Sequence, residues 1–191
     1  SFVASAEEMS LIHHDLRDLD EDGAVLYATT RYGLTVFDYD QMVSYDHWMP
    51  QGVELHESLL LSLQDTSFAL AIATNIGLAV APLQADGNLG PLTTWDWSLS
   101  DEIFSLTHLN LDGQNLHLIG LGQSGEGAVF EITTSSQIAQ QYELATGLYT
   151  ALSQSKAMVT GIAHGAAGGG NNTLYVGTDR GLLFGETTTA R

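Results

Sequence analysis

The stretch Thr30–Phe37, TRYGLTVF, recurs along the chain and indicates a repeat fold. The pattern T-x-x-G-L followed by apolar residues returns in TNIGLAVA at Thr74–Ala81 and TDRGLLFG at Thr178–Gly185, with a looser copy in SGEGAVFE at Ser124–Glu131. The glycines of these copies are spaced 44, 50 and 54 residues apart. Self-similarity at this interval is typical of proteins built from one repeated supersecondary unit.

Each copy lies between short runs of apolar and β-forming residues. The runs before the copies are AVLYAT, FALAIAT, LHLIGLG and TLYVGT, and those after them are LTVFDY, LAVAPL, AVFEIT and LLFGE. Their lengths suit buried strands better than helices. The T-x-x-G segment between them is therefore predicted to be a hairpin turn, with glycine supplying backbone freedom.

A further strand is predicted on each side of these hairpins. The upstream segments are MSLIHHDLRD, VELHESLLLSL, IFSLTHLNL and AMVTGIAHG, and the downstream ones are QMVSYDHWM, LGPLTTWDW and SQIAQQYEL. We name the four strands of a unit A to D. Four antiparallel strands in about 40–50 residues match one propeller blade. The segment Ser135–Ala157 also leaves room for a short helix or a crossover loop.

The sequence thus predicts an all-β chain that forms one small β-propeller of four blades. The predicted blades span about 9–50, 53–99, 102–145 and 156–187 of a single domain, 1–191. The fourth unit ends after strand C, so residues 1–5, SFVAS, are predicted to supply its strand D and remove an open sheet edge. The alternatives are a piece of a larger propeller or half of an eight-bladed homodimer.

The composition limits the classes of function. The chain of 191 residues has no cysteine, which rules out disulfides, zinc–thiolate sites and cysteine nucleophiles. Five Lys and Arg against 23 Asp and Glu give a net charge of −18, which disfavours nucleic acid and anionic lipid as partners. No apolar run is long enough for a membrane span. The acidity serves solubility or attracts metal cations or basic partners, and favours a periplasmic or extracellular location over a cytoplasmic one.

Two of the blades resemble a broad class of bacterial propeller repeats. The segments LYATTRYGLTVF and LYVGTDRGLLF resemble blades of the YVTN and two-component-regulator type over about 12 residues each. The resemblance implies the propeller fold. It does not imply an activity, because propellers include lyases, lactonases, oxidases, lectins and scaffolds.

Histidines in the predicted strands A suggest a metal centre. Each unit has one at a similar distance before its turn, namely His13 (with His14 beside it), His56, His108 and His164. Strand A lines the channel of a propeller, and neutral imidazole is a good ligand for Fe, Zn, Cu or Ni. The four histidines are therefore predicted to hold one transition metal ion on the axis, an idea similar to that of the carotenoid-cleaving propellers. Carboxylates near them, expected to orient the imidazoles, are Asp15, Glu54, Glu57 and Glu102.

A structural role for these histidines is the alternative. Their distances to the turn are 17, 18, 16 and 14 residues, and an odd difference turns a side chain to the other face of a strand. The histidines would then pack or form hydrogen bonds between blades.

An acidic segment, DLDEDG, resembles the start of a calcium loop. Asp18, Asp20, Asp22 and Gly23 fit its first six positions, and the segment is predicted to be the turn from strand A to strand B of the first blade. The later positions that need oxygen ligands hold Leu26 and Thr29, so the ligand set for calcium is incomplete. An acidic hairpin without calcium is the alternative.

Two functions remain open from the sequence. The first is a module that binds a small molecule, a glycan or a protein, and it is favoured by the fold and the charge. The second is a metal-dependent lyase, hydrolase or oxygenase that uses the histidine ring. The aromatic group Tyr45, His47, Trp48, Trp95 and Trp97 is expected to pack between blades, with sugar stacking as the alternative. No catalytic residue and no site for an organic cofactor is assigned.

Overall fold

The computed structural model describes residues 16–22, 25–31, 33–38, 40–41, 43–63, 67–85, 87–109, 116–145, 157–167, 171–186 and 188–189. These residues form an all-β structure with one short 3-10 helix at Leu92–Thr94. The first two sheets are built from β1 (Leu16–Asp22), β2 (Val25–Thr30), β3 (Gly33–Asp38), β4 (Val43–Trp48), β5 (Leu55–Ser62), β6 (Phe68–Thr74), β7 (Gly77–Pro82) and β8 (Asp96–Leu99). The other strands are β9 (Ser105–Leu109), β10 (Leu116–Leu121), β11 (Gly127–Ile132), β12 (Ile138–Ala145), β13 (Val159–Ala167), β14 (Asn171–Thr178), β15 (Gly181–Glu186) and β16 (Thr188–Thr189).

The strands form four antiparallel sheets, and the predicted four-bladed propeller is confirmed. The sheets follow the chain: β1 to β4, β5 to β8, β9 to β12 and β13 to β15. We number the blades 1 to 4 in that order. The first strand of each blade contacts that of the next, β1 with β5, β5 with β9 and β9 with β13. The short β16 pairs with β12 at the outer edge of blade 3. Residues 1–5, expected to complete blade 4, lie outside the described residues.

The repeated threonine of T-x-x-G closes the hairpin turn in three blades. Its hydroxyl donates a hydrogen bond to the carbonyl oxygen of the glycine three residues later, at 3.0 Å in blade 1, 2.7 Å in blade 2 and 2.8 Å in blade 4. The same oxygen accepts a backbone N–H from inside or just after the turn. One side chain thus satisfies two backbone groups, which explains why the repeat keeps a threonine there.

The hydrophobic core lies between blades and not inside them. Because side chains alternate along a strand, a middle strand faces both neighbouring blades. In β6, Ala69, Ala71 and Ala73 pack with blade 3, whereas Leu70 and Ile72 pack with blade 1. In β10, Leu118 faces blade 2, and Ile119 and Leu121 face blade 4.

The tryptophans belong to one of these interfaces. Trp48 of blade 1 and Trp95 of blade 2 are buried in the same cluster, with ring centroids 6.3 Å apart, and Trp97 stacks on Trp95 at 6.1 Å. The indole N–H of Trp95 donates to the Gly90 carbonyl at 3.0 Å. The expectation that these rings pack between blades is confirmed.

One segment differs from the sequence expectation. Strand A of blade 1 was expected at Met9–Asp18 and the turn at Asp18–Gly23, but β1 runs from Leu16 to Asp22 and its last pair is Asp22 with Val25. Asp18, Asp20 and Asp22 therefore lie in a strand and not in a turn. Acidic residues at alternate positions satisfy the strand period as well as the calcium-loop pattern, which is why the sequence misplaced the turn. Strand D of blade 3, predicted from SQIAQQYEL, is confirmed at Ile138–Ala145, where it pairs with β11 in place of the short helix also considered for this stretch.

We expect removal of the blade 2 turn hydroxyl to destabilise the protein. In Thr74→Val a fully buried hydrogen bond is lost, which would lower the free energy of unfolding by about 1–2 kcal/mol. Thr178→Val, at the exposed turn of blade 4, is the matched control, and we expect a loss of less than about 0.5 kcal/mol because water replaces the bond. Urea denaturation of both variants checks this; equal losses would contradict it.

A second pair of variants separates backbone strain from crowding. Gly77 has φ +122° and Gly181 has φ +135°, so alanine is strained at both positions. A Cβ at Gly77 would also overlap the carbonyl oxygen of Ser98, whereas one at Gly181 has no neighbour within 4 Å. Thermal unfolding should show Gly77→Ala to be the less stable of the two by at least about 1 kcal/mol. A smaller or reversed difference would show that blade 2 relaxes around the new methyl group.

Candidate functional site

A cavity lies at one end of the propeller, where the innermost strands begin. We call this the entry end; because neighbouring strands are antiparallel, the turns β2–β3, β6–β7, β10–β11 and β14–β15 lie there too. The cavity, called the entry cavity below, has a volume of about 670 Å³. Residues from all four blades line it: Arg31, Glu54, His56, Glu57, Glu102, Phe104, Ser105, Gln123, Thr160, Gly161 and Ile162.

An extra residue at the start of the innermost strands shapes this cavity. In β5 the pairing register shifts at His56, and in β13 it shifts at Thr160. Such a bulge bends the strand and redirects a side chain. In blade 3, Ser105 pairs with Leu121 in the same way that Glu57 pairs with Ala73 in blade 2. Phe104, the residue before Ser105, is therefore equivalent to His56, the residue before Glu57. His56, Phe104 and Thr160 are therefore equivalent positions that all line the cavity.

Hydrogen bonds between blades fix the floor of the cavity. Glu57 Oε2 accepts the backbone N–H of Leu106 at 3.0 Å, and Ser105 Oγ accepts that of Ile162 at 3.2 Å. Glu57 and Ser105 occupy equivalent positions. In each case the side chain accepts the backbone N–H of the residue that follows the equivalent position in the next blade. The innermost strands are thus held at a common level, which keeps their first residues together.

The imidazole of His56 is a buried polar group of the site. Its side chain is 6% exposed, and Nε2 lies 3.0 Å from Oε1 of Glu102, whose side chain is 41% exposed. The ring of Phe104 covers it, with centroids 5.2 Å apart. The contact has the distance of an ion pair, and the orientation of a metal-bound imidazole by a carboxylate stays a prediction.

Acidic groups dominate the cavity. Glu54, Glu57 and Glu102 contribute three carboxylates, and Arg31 contributes one guanidinium. Arg31 Nη2 lies 2.7 Å from Glu54 Oε1, so its charge is already paired across blades 1 and 2. The remaining carboxylates give the cavity a negative potential, which favours a cationic guest.

The structure does not bring His56 and His108 to one place. The residue equivalent to His56 in blade 3 is Phe104, so His108 lies four residues deeper, roughly 13 Å along the strand. His164 shares the register position of His108, since they pair with the equivalent Leu174 and Leu118. His13 and the side chain of His164 fall outside the described residues, so the four-histidine ring as a set stays a prediction. Within the described part of the chain, no three His, Asp or Glu side chains are grouped so that they could hold a metal ion.

His108 instead serves the interface between blades 2 and 3. Its imidazole is partly buried and forms a hydrogen bond with the backbone of Leu60, a residue of β5. This is the role foreseen in the alternative interpretation of the histidines. The prediction of calcium at Asp18, Asp20 and Asp22 stays untested, because their side chains lie outside the described residues.

Sequence reasoning missed seven of the eleven residues that line the cavity. Arg31 and Gln123 are equivalent residues of the β2–β3 and β10–β11 turns, and their carbonyl oxygens accept the N–H of Leu55 and Val159 from the next blade. Arg31 is a variable position of a T-x-x-G turn, and that pattern could have located it, whereas Gln123 precedes the looser copy at Ser124 and lies outside the pattern. Phe104 and Thr160 could be assigned to the cavity only once the extra residue at the start of the innermost strands was known.

The comparisons with known proteins support the fold alone. No family model and no curated protein matches the chain. Among solved structures, the WD40 domain of SCAP from fission yeast is similar with a TM-score of 0.52 and 13% identity, over 93% of this chain and 44% of that one. A protein of unknown function from Bacteroides caccae has a TM-score of 0.49 and 10% identity, over 92% of this chain and 59% of that one. The chain spans about half the length of these two structures. The similarity to the WD40 domain agrees with the β-propeller architecture.

No helix of sufficient length and hydropathy to cross a bilayer occurs among the residues that the structure describes.

The pH dependence of stability should report on His108. Burial lowers the pKa of His108 from its usual 6.5, and the bond to Leu60 offsets this only in part. A lowered pKa means that the folded state binds a proton less readily than the unfolded state, so His108 favours folding above pH 6.5 and loses that contribution as the pH falls towards its folded pKa. We expect His108→Gln to unfold in urea with a shallower decline in stability from neutral to acidic pH than the wild type. An NMR titration that gives His108 a pKa at or above 6.5 would contradict this.

Proposed function

We propose that the protein is a binding module whose ligand places a cationic group in the entry cavity. The observation that carries this proposal is the convergence of Glu54, Glu57 and Glu102 on one cavity shared by four blades. A glycan would be recognised by other means, and an anionic ligand would be repelled. The bacterial repeat type suggested by LYVGTDRGLLF, and a location outside the cytoplasm, are parts of the same proposal.

The size and the walls of the cavity suit such a ligand. A volume of about 670 Å³ falls within the range of sites for small molecules, and it also admits a long side chain. Phe104 and Ile162 supply apolar walls beside the carboxylates. Low-dielectric walls strengthen the attraction between a carboxylate and a guest cation. They also contact the apolar part of the ligand, so binding does not depend on charge alone.

The alternative is a metal-dependent enzyme of the lyase, hydrolase or oxygenase type. Its candidate ligands in the cavity are the imidazole of His56 and the carboxylate of Glu102, and the described residues bring no third ligand to them. Metal analysis of protein purified without an affinity tag tests it. An enzyme of this type requires near-stoichiometric transition metal that is lost in His56→Ala and kept in His108→Ala, which lies away from the cavity. Absence of metal in the wild type leaves the binding module.

The binding proposal makes a direct prediction. Isothermal titration should detect binding of n-butylguanidinium and n-butylamine, and none of n-butyrate, because the cavity carries an excess of carboxylates. Glu102→Gln keeps the shape of the side chain and removes its charge, so we expect affinity for the cations to fall by roughly tenfold, the worth of one charge-assisted hydrogen bond.

Glu126→Gln is the matched control. Glu126 lies at the entry end but does not line the cavity, and its carboxylate is held by Ser124. Wild-type affinity in Glu126→Gln with reduced affinity in Glu102→Gln supports the proposal. Equal binding of butyrate and butylguanidinium would refute it.

A further inference from the structure

We propose that the natural ligand is a polypeptide that inserts a lysine or arginine side chain into the entry cavity and packs apolar neighbours on the rim. This inference rests on the proposed function and adds the class of partner. It comes from side chains that do not belong to the cavity itself.

Exposed apolar side chains gather at the entry end. Met49 is 61% exposed, Leu99 74% and Met158 48%. Met49 follows the last residue of β4, and Leu99 ends β8 opposite Gly77. Met158 directly precedes β13. All three positions are therefore at the end where the innermost strands begin. Leu182 and Phe184 are also exposed, but Leu182 is equivalent to Leu34 and Leu78, which are buried against the next blade, so this face of β15 is an interblade face and not part of the rim.

Their placement differs from ordinary surface exposure. Single apolar residues are common on protein surfaces, but several on one end around a cavity are characteristic of an interaction site. Met49, Leu99 and Met158 belong to blade 1, to blade 2 and to the connection before blade 4, so they share one end of the propeller and do not form one strip on a single blade. Methionine is enriched at protein interfaces because its flexible side chain adapts to the partner.

Charge complementarity defines the partner. Besides the carboxylates of the cavity, Asp101, Glu126 and Asp179 are exposed at the entry end, where Arg180 is a counter-charge. Such a potential steers a basic partner towards this end and repels an acidic one. A free amine would use the cavity and leave the rim exposed. A peptide with a basic residue between apolar residues uses both.

Two matched peptides test the proposal. Each has five residues with a central arginine, an acetylated N-terminus and an amidated C-terminus; leucines flank the arginine in one and glycines in the other. We expect the leucine peptide to bind roughly tenfold more tightly by fluorescence anisotropy, because anchors at an interface core carry most of the affinity. A third peptide, with alanine in place of the arginine, should not bind.

Rim variants locate the contact. The double variant Leu99→Ser, Met158→Ser should bind the leucine peptide about fivefold more weakly and n-butylguanidinium as well as the wild type. Leu92→Ser is the control, since Leu92 is also exposed but lies on the connection between β7 and β8, at the opposite end. It should leave both affinities unchanged.

The outcomes separate this inference from the proposed function. If n-butylguanidinium binds and the two arginine peptides bind equally, the polypeptide partner is refuted and the cation site stands. If neither the cation nor any peptide binds, both proposals fall. A wild type that dimerises in sedimentation, and becomes monomeric in the Leu99→Ser, Met158→Ser variant, would show that a second copy covers the rim and would overturn the inference.

Discussion

The alternation of side chains along the middle strands is the constraint on which the rest of the structure depends. Each of these strands must present a buried face to the blade before it and another to the blade after it. Strand β6 does so with alanines on one face and larger residues on the other, and it is apolar up to Thr74. A blade therefore has no core of its own, and the propeller is stable only as an assembly of neighbours.

This constraint leaves the ends of the sheets for polar groups. Leu55 and Val159, the first residues of β5 and β13, still belong to the interblade clusters, whereas His56, Glu57 and Ser105 beside them line the entry cavity. The hydrogen bonds from Leu106 and Ile162 then set the relative height of the blades. The entry cavity is thus a consequence of how the blades pack. Its acidic character comes from the side chains of Glu54, Glu57 and Glu102.

Much of the fold followed from the sequence, and less of the site. The T-x-x-G turns, the strands on either side and the number of blades depend on local patterns, so they could be predicted from residues such as Thr74 and Gly77. The histidines could not be placed, because the turns from which their distances were counted are not equivalent: Ser124 lies three residues after Leu121, whereas Thr74 lies one residue after the equivalent Ala73. Thus His56 faces the entry cavity and His108 the interface of blades 2 and 3, although both have a similar distance to their turns.

The central claim is that four blades build one cation site at the entry end. NMR titration of amide-labelled protein with n-butylguanidinium tests this directly. The account predicts shift changes at residues from different blades that meet only in the folded propeller, with His56, Phe104, Gln123 and Thr160 among the largest. Changes confined to one blade, or largest near Gly87–Leu89 at the opposite end, would contradict it.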